Sequence, residues 1–288
     1  MNRQNKLSPW IGAILGALCA LLFIAVQAQA ADHGQLTEEF HQTYPLASGG
    51  RIELENINGA VHITGWDKNE ARVDAVKYAE SKERLDAAAI KVDASSDSVS
   101  IRTEYRDQDS RHHNNWNGRD NPAGVEYTLT VPRGARLDDI KLINGSLDIQ
   151  GVAGEVRAAC INGQLTAHGL QGPAKLSNIN GHTEVGFDRL GDSPIELSSV
   201  NGSVELTLPS DSQARLEAST VHGGIDNDFG LHVNDHRWVG HDLRGELGNG
   251  GTRIKLSNVN GGIEIRHASD GRTLSAPKDL NRRESDDL

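Results

Sequence analysis

Ile195-Glu196-Leu197-Ser198-Ser199-Val200-Asn201-Gly202-Ser203-Val204-Glu205-Leu206 decides the fold. Apolar and polar residues alternate on both sides of Asn201-Gly202, the period-2 signature of a half-buried strand. The same pattern recurs as Ile254 to Ile265 and as Ile52 to Ile63. Further Asn-Gly pairs stand at 144–145, 162–163 and 180–181, and His222-Gly223 takes an equivalent place. From Asn144 to His222 the spacings are 18, 18, 21 and 21 residues. Each pair follows an Ile or Val: Ile57, Ile143, Ile161, Ile179, Val200, Val221 and Val259. These Ile and Val residues are expected in the core.

Two architectures fit. Asn-Gly between alternating strands is a strong hairpin signal, because both residues accept positive φ, and would give a meander. Each central period also holds a second turn, at Gly151–Gly154, Gly169–Gly172 and Leu190–Pro194. Two short strands and two corners in 18–21 residues, repeated in register, describe one coil of a β-solenoid. The solenoid is favoured. It predicts an amide ladder of Asn144, Asn162, Asn180 and Asn201 along one corner. It also sends Leu147, Leu165, Val204, Ile225 and Ile263, each three residues after the Asn or His, into the core.

Composition agrees with an all-β chain. The 288 residues include 31 Gly but only four each of Trp, Tyr and Phe, so small and branched aliphatics must fill the interior. The net charge of −11 argues against a nucleic-acid binder, which would carry a basic stripe. Residues 1–30 have the form of a secretory signal: Arg3 and Lys6, an apolar run from Trp10 to Val26, then Ala28-Gln29-Ala30. Cleavage after Ala30 is favoured over an uncleaved anchor, so no stable membrane insertion is expected. Leu18 before Cys19 argues against a lipoprotein. Removing Arg3 and Lys6 takes the charge from −11 to −13 and leaves Cys160 alone, without a disulfide partner.

Residues 36–134 read as a less regular N-terminal part and 135–267 as regular coils. Arg72–Val76, Val99–Arg102 and Tyr127–Pro132 read as strands, and Ser81 to Ile90 as one short helix with Ser81 as N-cap. Asp107 to Ala123 is a polar loop. Residues 268–288 form a charged, weakly apolar tail, expected to be disordered.

On these residues the chain resembles the bacterial putative-adhesin family, a β-strand-repeat domain of unknown function. The resemblance covers residues 36–267. It rests on Ile52 to Trp66, Val131-Pro132, the central Asn-Gly coils, Leu208-Pro209, and Leu247-Gly248-Asn249-Gly250 ahead of Ile254 to Ile265. It implies a β-solenoid-like fold exposed to the cell envelope or exterior, and it brings no catalytic residues. His222 in place of Asn and the extra segment His232–His241 depart from the pattern.

Candidate chemistry is sparse. Glu184, Glu196, Glu205, Asp226 and Asp228 are the carboxylates to weigh for glycoside cleavage, which needs two of them about 5–9.5 Å apart. Most alternate with apolar residues and are expected on the solvated face. His232, Asp235, His236, His241 and Asp242 cluster in sequence, but their spacing matches no helical or knuckle metal site, and the calcium-binding glycine-aspartate nonapeptide of other solenoids is missing. No metal or cofactor is expected. Cys160 shares its slot with Asn178, Ser199, Thr220 and Asn258 and reads as a packed thiol. Trp66 and Trp238 are expected to cover core ends or edges.

The expectation is therefore an exported non-enzymatic scaffold in the periplasm, at the cell surface or outside the cell. Its partner would be a protein or a surface polymer. The contacts are expected in the two leftover loops, near His112, Trp116, His236, Trp238 and His241. The alternatives are a polysaccharide-acting enzyme on a β-helix and an accessory protein of envelope stress sensing.

Overall fold

The computed structural model describes residues 35–106, 122–235 and 240–280. These form two large sheets facing one another. The N-terminal strands are β1 (Leu36–Pro45), β2 (Arg51–Asn58), β3 (Val61–Trp66) and β4 (Glu70–Ala79). Helix α1 (Lys82–Ala87) leads to β5 (Ala88–Ala94), β6 (Ser98–Tyr105) and β7 (Gly124–Pro132). The central strands are β8 (Arg136–Asn144), β9 (Leu147–Gln150), β10 (Val156–Asn162), β11 (Leu165–Leu170), β12 (Ala174–Asn180), β13 (Thr183–Phe187), β14 (Ile195–Asn201) and β15 (Val204–Leu208). The remainder are β16 (Ala214–His222), β17 (Ile225–Asn227), β18 (Val233–Asp235), β19 (His241–Leu247), β20 (Thr252–Asn260), β21 (Ile263–His267) and β22 (Pro277–Asp279).

Strands from β8 to β15 alternate between the sheets. The ten-stranded sheet runs β1-β4-β7-β3-β9-β11-β13-β15-β21-β17, and the twelve-stranded sheet runs β18-β19-β16-β20-β14-β12-β10-β8-β2-β6-β5, with β22 added to β19. The middle of both sheets is parallel, and antiparallel pairs lie toward the ends. Asn-Gly therefore joins strands of opposite sheets, and the meander is excluded.

Stacking order departs from chain order at both ends. The pair β20–β21 lies between β14–β15 and β16–β17. Likewise β2–β3 lies between β6–β7 and β8–β9.

The corner glycine fixes the register. Gly59, Gly145, Gly163, Gly181, Gly202, Gly223 and Gly261 all have φ between +120° and +153°. A Cβ at Gly181 would stand 2.1 Å from the carbonyl oxygen of Gly163, and one at Gly202 2.0 Å from that of Gly181. Only glycine permits this approach. Next to the glycines the expected ladder is present and longer than expected. Asn144 donates to Asn58 (3.0 Å), Asn162 to Asn144 (2.9 Å), Asn180 to Asn162 (2.8 Å), Asn201 to Asn180 (2.9 Å) and Asn260 to Asn201 (2.8 Å).

Leu147, Leu165, Val204, Ile225 and Ile263 are buried as expected, all at 6% exposure or less. Burying a side chain of this size stabilises the fold by about 1.5–3 kcal/mol. A second inward column, Asn56, Leu142, Cys160, Asn178, Ser199, Asn258 and Thr220, runs in register beneath the corner. Its polar members tie strand to corner: Asn178 donates to Gly163 O (3.0 Å), Asn258 to Gly202 O (2.7 Å) and Thr220 to Gly261 O (2.9 Å).

Two expectations on local structure are corrected. The Ser81 hydroxyl does accept from Arg84 N (3.3 Å), but the helix ends at Ala87, and Ala88–Ile90 enter β5. Pairing with β6 overrides the helix propensity of the alanines. Within the expected tail, Pro277–Asp279 pairs with β19, and Ser275 is buried with its N–H bonded to Ser210 O (2.9 Å).

Candidate functional site

The Ile or Val before each Asn-Gly, expected in the core, lies on the surface. Ile57, Ile143, Ile161, Ile179, Val200, Val221 and Val259 are each 37–42% exposed. The phase of the strand explains it. Ile195, Leu197 and Ser199 point inward on β14, so Val200 points out. In-register parallel pairing then aligns the seven residues as one ridge, in the order Ile57, Ile143, Ile161, Ile179, Val200, Val259, Val221. With strands about 4.8 Å apart, the ridge is roughly 29 Å long.

Two residues back along each strand lies a row of small side chains: Ala159, Ser177, Ser198, Ser257 and Ser219. This makes a trough parallel to the ridge. Toward β2 the trough closes with Lys141 and Glu55, linked at 3.7 Å, and Arg102 holds Glu55 at 3.0 Å. There the ridge and these charged groups wall an open groove of about 440 Å³. Beyond the trough is a row of charges in which Arg157, Lys175, Glu196, Lys255 and Glu217 follow one another in register. The Lys175 ammonium, 2.9 Å away, holds the Glu196 carboxyl below the usual carboxylate range. The face offers apolar contact bordered by charge.

The outer face of the ten-stranded sheet differs. Asp148, Thr166, Glu184, Glu205, Glu264 and Asp226 form one in-register row there. Arg266 bridges Glu205 (2.8 Å) and Glu264. His168 approaches Glu184 at 3.4 Å. Of the carboxylates weighed for hydrolysis, Glu196 thus lies on one sheet, and Glu184, Glu205 and Asp226 lie on the other.

The expected contact loops are addressed only in part. His112, Trp116, His236 and Trp238 lie outside the described residues. His241 opens β19, with its Nε2 3.2 Å from the Asp235 carboxylate. Among the described residues no three His, Cys, Asp or Glu side chains converge as a metal site. No helix among them is long and apolar enough to cross a membrane. Cys160 is buried, and burial pushes its thiol pKa up to about 12. Trp66 ends β3, with its indole N–H donating to Glu70 O (2.8 Å) and the Lys68 ammonium 4.5 Å above its ring.

No family model and no curated protein matches this chain. Among solved structures it is similar to a putative cell adhesion protein from Clostridium sporogenes, at 12% identity and a TM-score of 0.47, over 80% of this chain and 100% of that one. It is also similar to a putative adhesin from Bacteroides fragilis, at 14% identity and a TM-score of 0.26, over 80% and 97% of the two chains. A third is a putative lipid binding protein from Parabacteroides distasonis, at 10% identity and a TM-score of 0.27, over 80% and 97%.

Proposed function

We propose that the protein is an exported, non-enzymatic β-repeat scaffold, adhesin-like in acting through surface contact in the cell envelope. In this reading β8–β15 form a β-solenoid, and the outer face of the twelve-stranded sheet is the contact surface. The ridge of seven exposed Ile and Val residues carries the proposal. A single exposed aliphatic residue needs no explanation, but seven in register make a contiguous apolar patch of roughly 500 Å², in the range of the largest apolar patch on a protein surface, which is often a functional one. The sequence supplies the export signal, and the fold supplies rigidity through parallel, in-register strands.

The test is photocrosslinking in the native host from a residue on the ridge, Ile179, and from Thr166 on the opposite sheet as control. Capture of a defined species from Ile179 and not from Thr166 supports the reading. Equal capture from both positions, or capture from Thr166 alone, overturns it. Polysaccharide cleavage by the purified protein, stopped by one substitution among Glu184, Glu196, Glu205 and Asp226, would establish the enzyme alternative instead.

A further inference from the structure

The ridge spans seven strands, and on five of them the trough runs beside it at the same repeat. We propose that they are the two halves of a self-complementary interface, and that the occupant of this face is a second copy of the chain, related by a two-fold axis parallel to the stacking direction. The proposal rests on the reading of this face as the contact surface.

Two observations support a copy as occupant. The first is commensurability. Over the five trough strands, an aliphatic side chain every ~4.8 Å is matched without slippage by a surface with the same repeat. The trough formed by Ala159, Ser177, Ser198, Ser257 and Ser219 has that repeat. The second is the fit under the two-fold axis. With the axis between the two rows, Val200 of one copy lies over Ser198 of the other and Ser198 over Val200, and so on the five trough strands, while Ile57 and Ile143 meet the aliphatic stems of Glu55 and Lys141. The isologous geometry makes every such contact occur twice. The charged row of Arg157, Lys175, Glu196 and Lys255 then falls over the partner copy's corner, where the Asn ladder is neutral, so no like charges are brought together.

A dimer built this way leaves the acidic faces, with Asp148, Glu184, Glu205 and Glu264, pointing outward on both sides. It removes the apolar ridges from water and keeps the like-charged faces as far apart as the two sandwiches allow.

The experiment uses residues 31–288, which contain every described strand, in sedimentation velocity and equilibrium. The expected result is a dimer at micromolar concentration. Ile179→Glu with Val200→Glu, both at exposed positions, should weaken it at least about 100-fold, some 2.7 kcal/mol. Circular dichroism and melting should stay unchanged, separating loss of the interface from loss of the fold. The pairing is read by mixing a Val200→Cys variant with a Ser198→Cys variant, which should form a mixed disulfide faster than either variant forms its own. A wild-type chain that stays monomeric at about 100 µM, a dimer indifferent to the two glutamates, or equal crosslinking in the mixed and single samples would overturn the proposal. If the purified chain is monomeric while Ile179 captures a different species in the native host, self-association fails and the contact-face reading stands.

Discussion

Replacing Gly181 with alanine should lower stability by about 3–4 kcal/mol, although it adds only one methyl group to a half-buried corner. Two costs combine. Gly181 has φ +139°, a region that L side chains rarely adopt, costing about 1–2 kcal/mol. The new Cβ would sit 2.1 Å from Gly163 O, roughly 1 Å or more inside contact distance. Relieving that clash parts the two corners and loosens the bonds from Gly163 N to Asn180 O (3.0 Å) and from Leu165 N to His182 O (3.0 Å). Each contributes about 1 kcal/mol net. For a chain with 5–15 kcal/mol of total stability, such a loss is severe. Urea denaturation followed by circular dichroism should show the midpoint falling by about 1 M, taking an m-value of about 3 kcal/mol/M for a chain of this size. Gly224→Ala is the matched control, since nothing lies within 4 Å of a Cβ there. Its stability should stay within about 0.5 kcal/mol of wild type, a midpoint shift of about 0.2 M. A Gly181→Ala loss below about 1 kcal/mol, or equal damage from both variants, would show that corner glycines do not set the strand register.

Three further outcomes are expected. Val204→Asp places a carboxylate in a fully buried slot and should unfold the chain at moderate temperature, whereas Glu205→Lys, its outward neighbour, should shift the melting temperature little. Hydrogen bonds from His41 to Asp74 (2.7 Å) and Glu39 (3.3 Å) raise its pKa above 6.5, so its contribution is fully present below pH 6.5 and is lost as pH rises through the raised value. Melting temperatures measured across that range should fall slightly in wild type and stay flat in His41→Asn. Burial of the Cys160 thiol, with its pKa near 12, predicts no alkylation by iodoacetamide at pH 8 in the folded chain and full alkylation in urea, read by mass spectrometry.

The Asn-Gly spacing made the stacked register legible, because identical residues at identical phase can align only if neighbouring strands are parallel. The inward column of Leu147, Leu165, Val204, Ile225 and Ile263 followed from counting three residues past each corner. The ridge was misread because apolar character was equated with burial. Counting back from Val200 through Ser199 to Leu197 places Val200 outside, so the signal was present in strand parity. The boundary between α1 and β5 was not legible, since Ala87–Ala89 suit a helix and only distant pairing with β6 decides the matter. The placement of β20–β21 between earlier strands was equally hidden. Nothing local in Ile254–Ile265 distinguishes a terminal pair from an inserted one.

That placement has a consequence for how the molecule comes together. Strands β16 and β17 precede β20 and β21 in the chain, yet they reach β14 and β15 only through them. A chain emerging N-terminus first can lay down β8 to β15 in order, each pair templating the next. It must then hold β16 and β17 in waiting until residues 252–267 arrive to fill the gap. The inserted pair acts as a keystone: truncation at residue 250 removes β20 and β21 and should cut β16 and β17 off from β14 and β15. Joining β16 and β17 to the stack is thus deferred until residues 252–267 have been made.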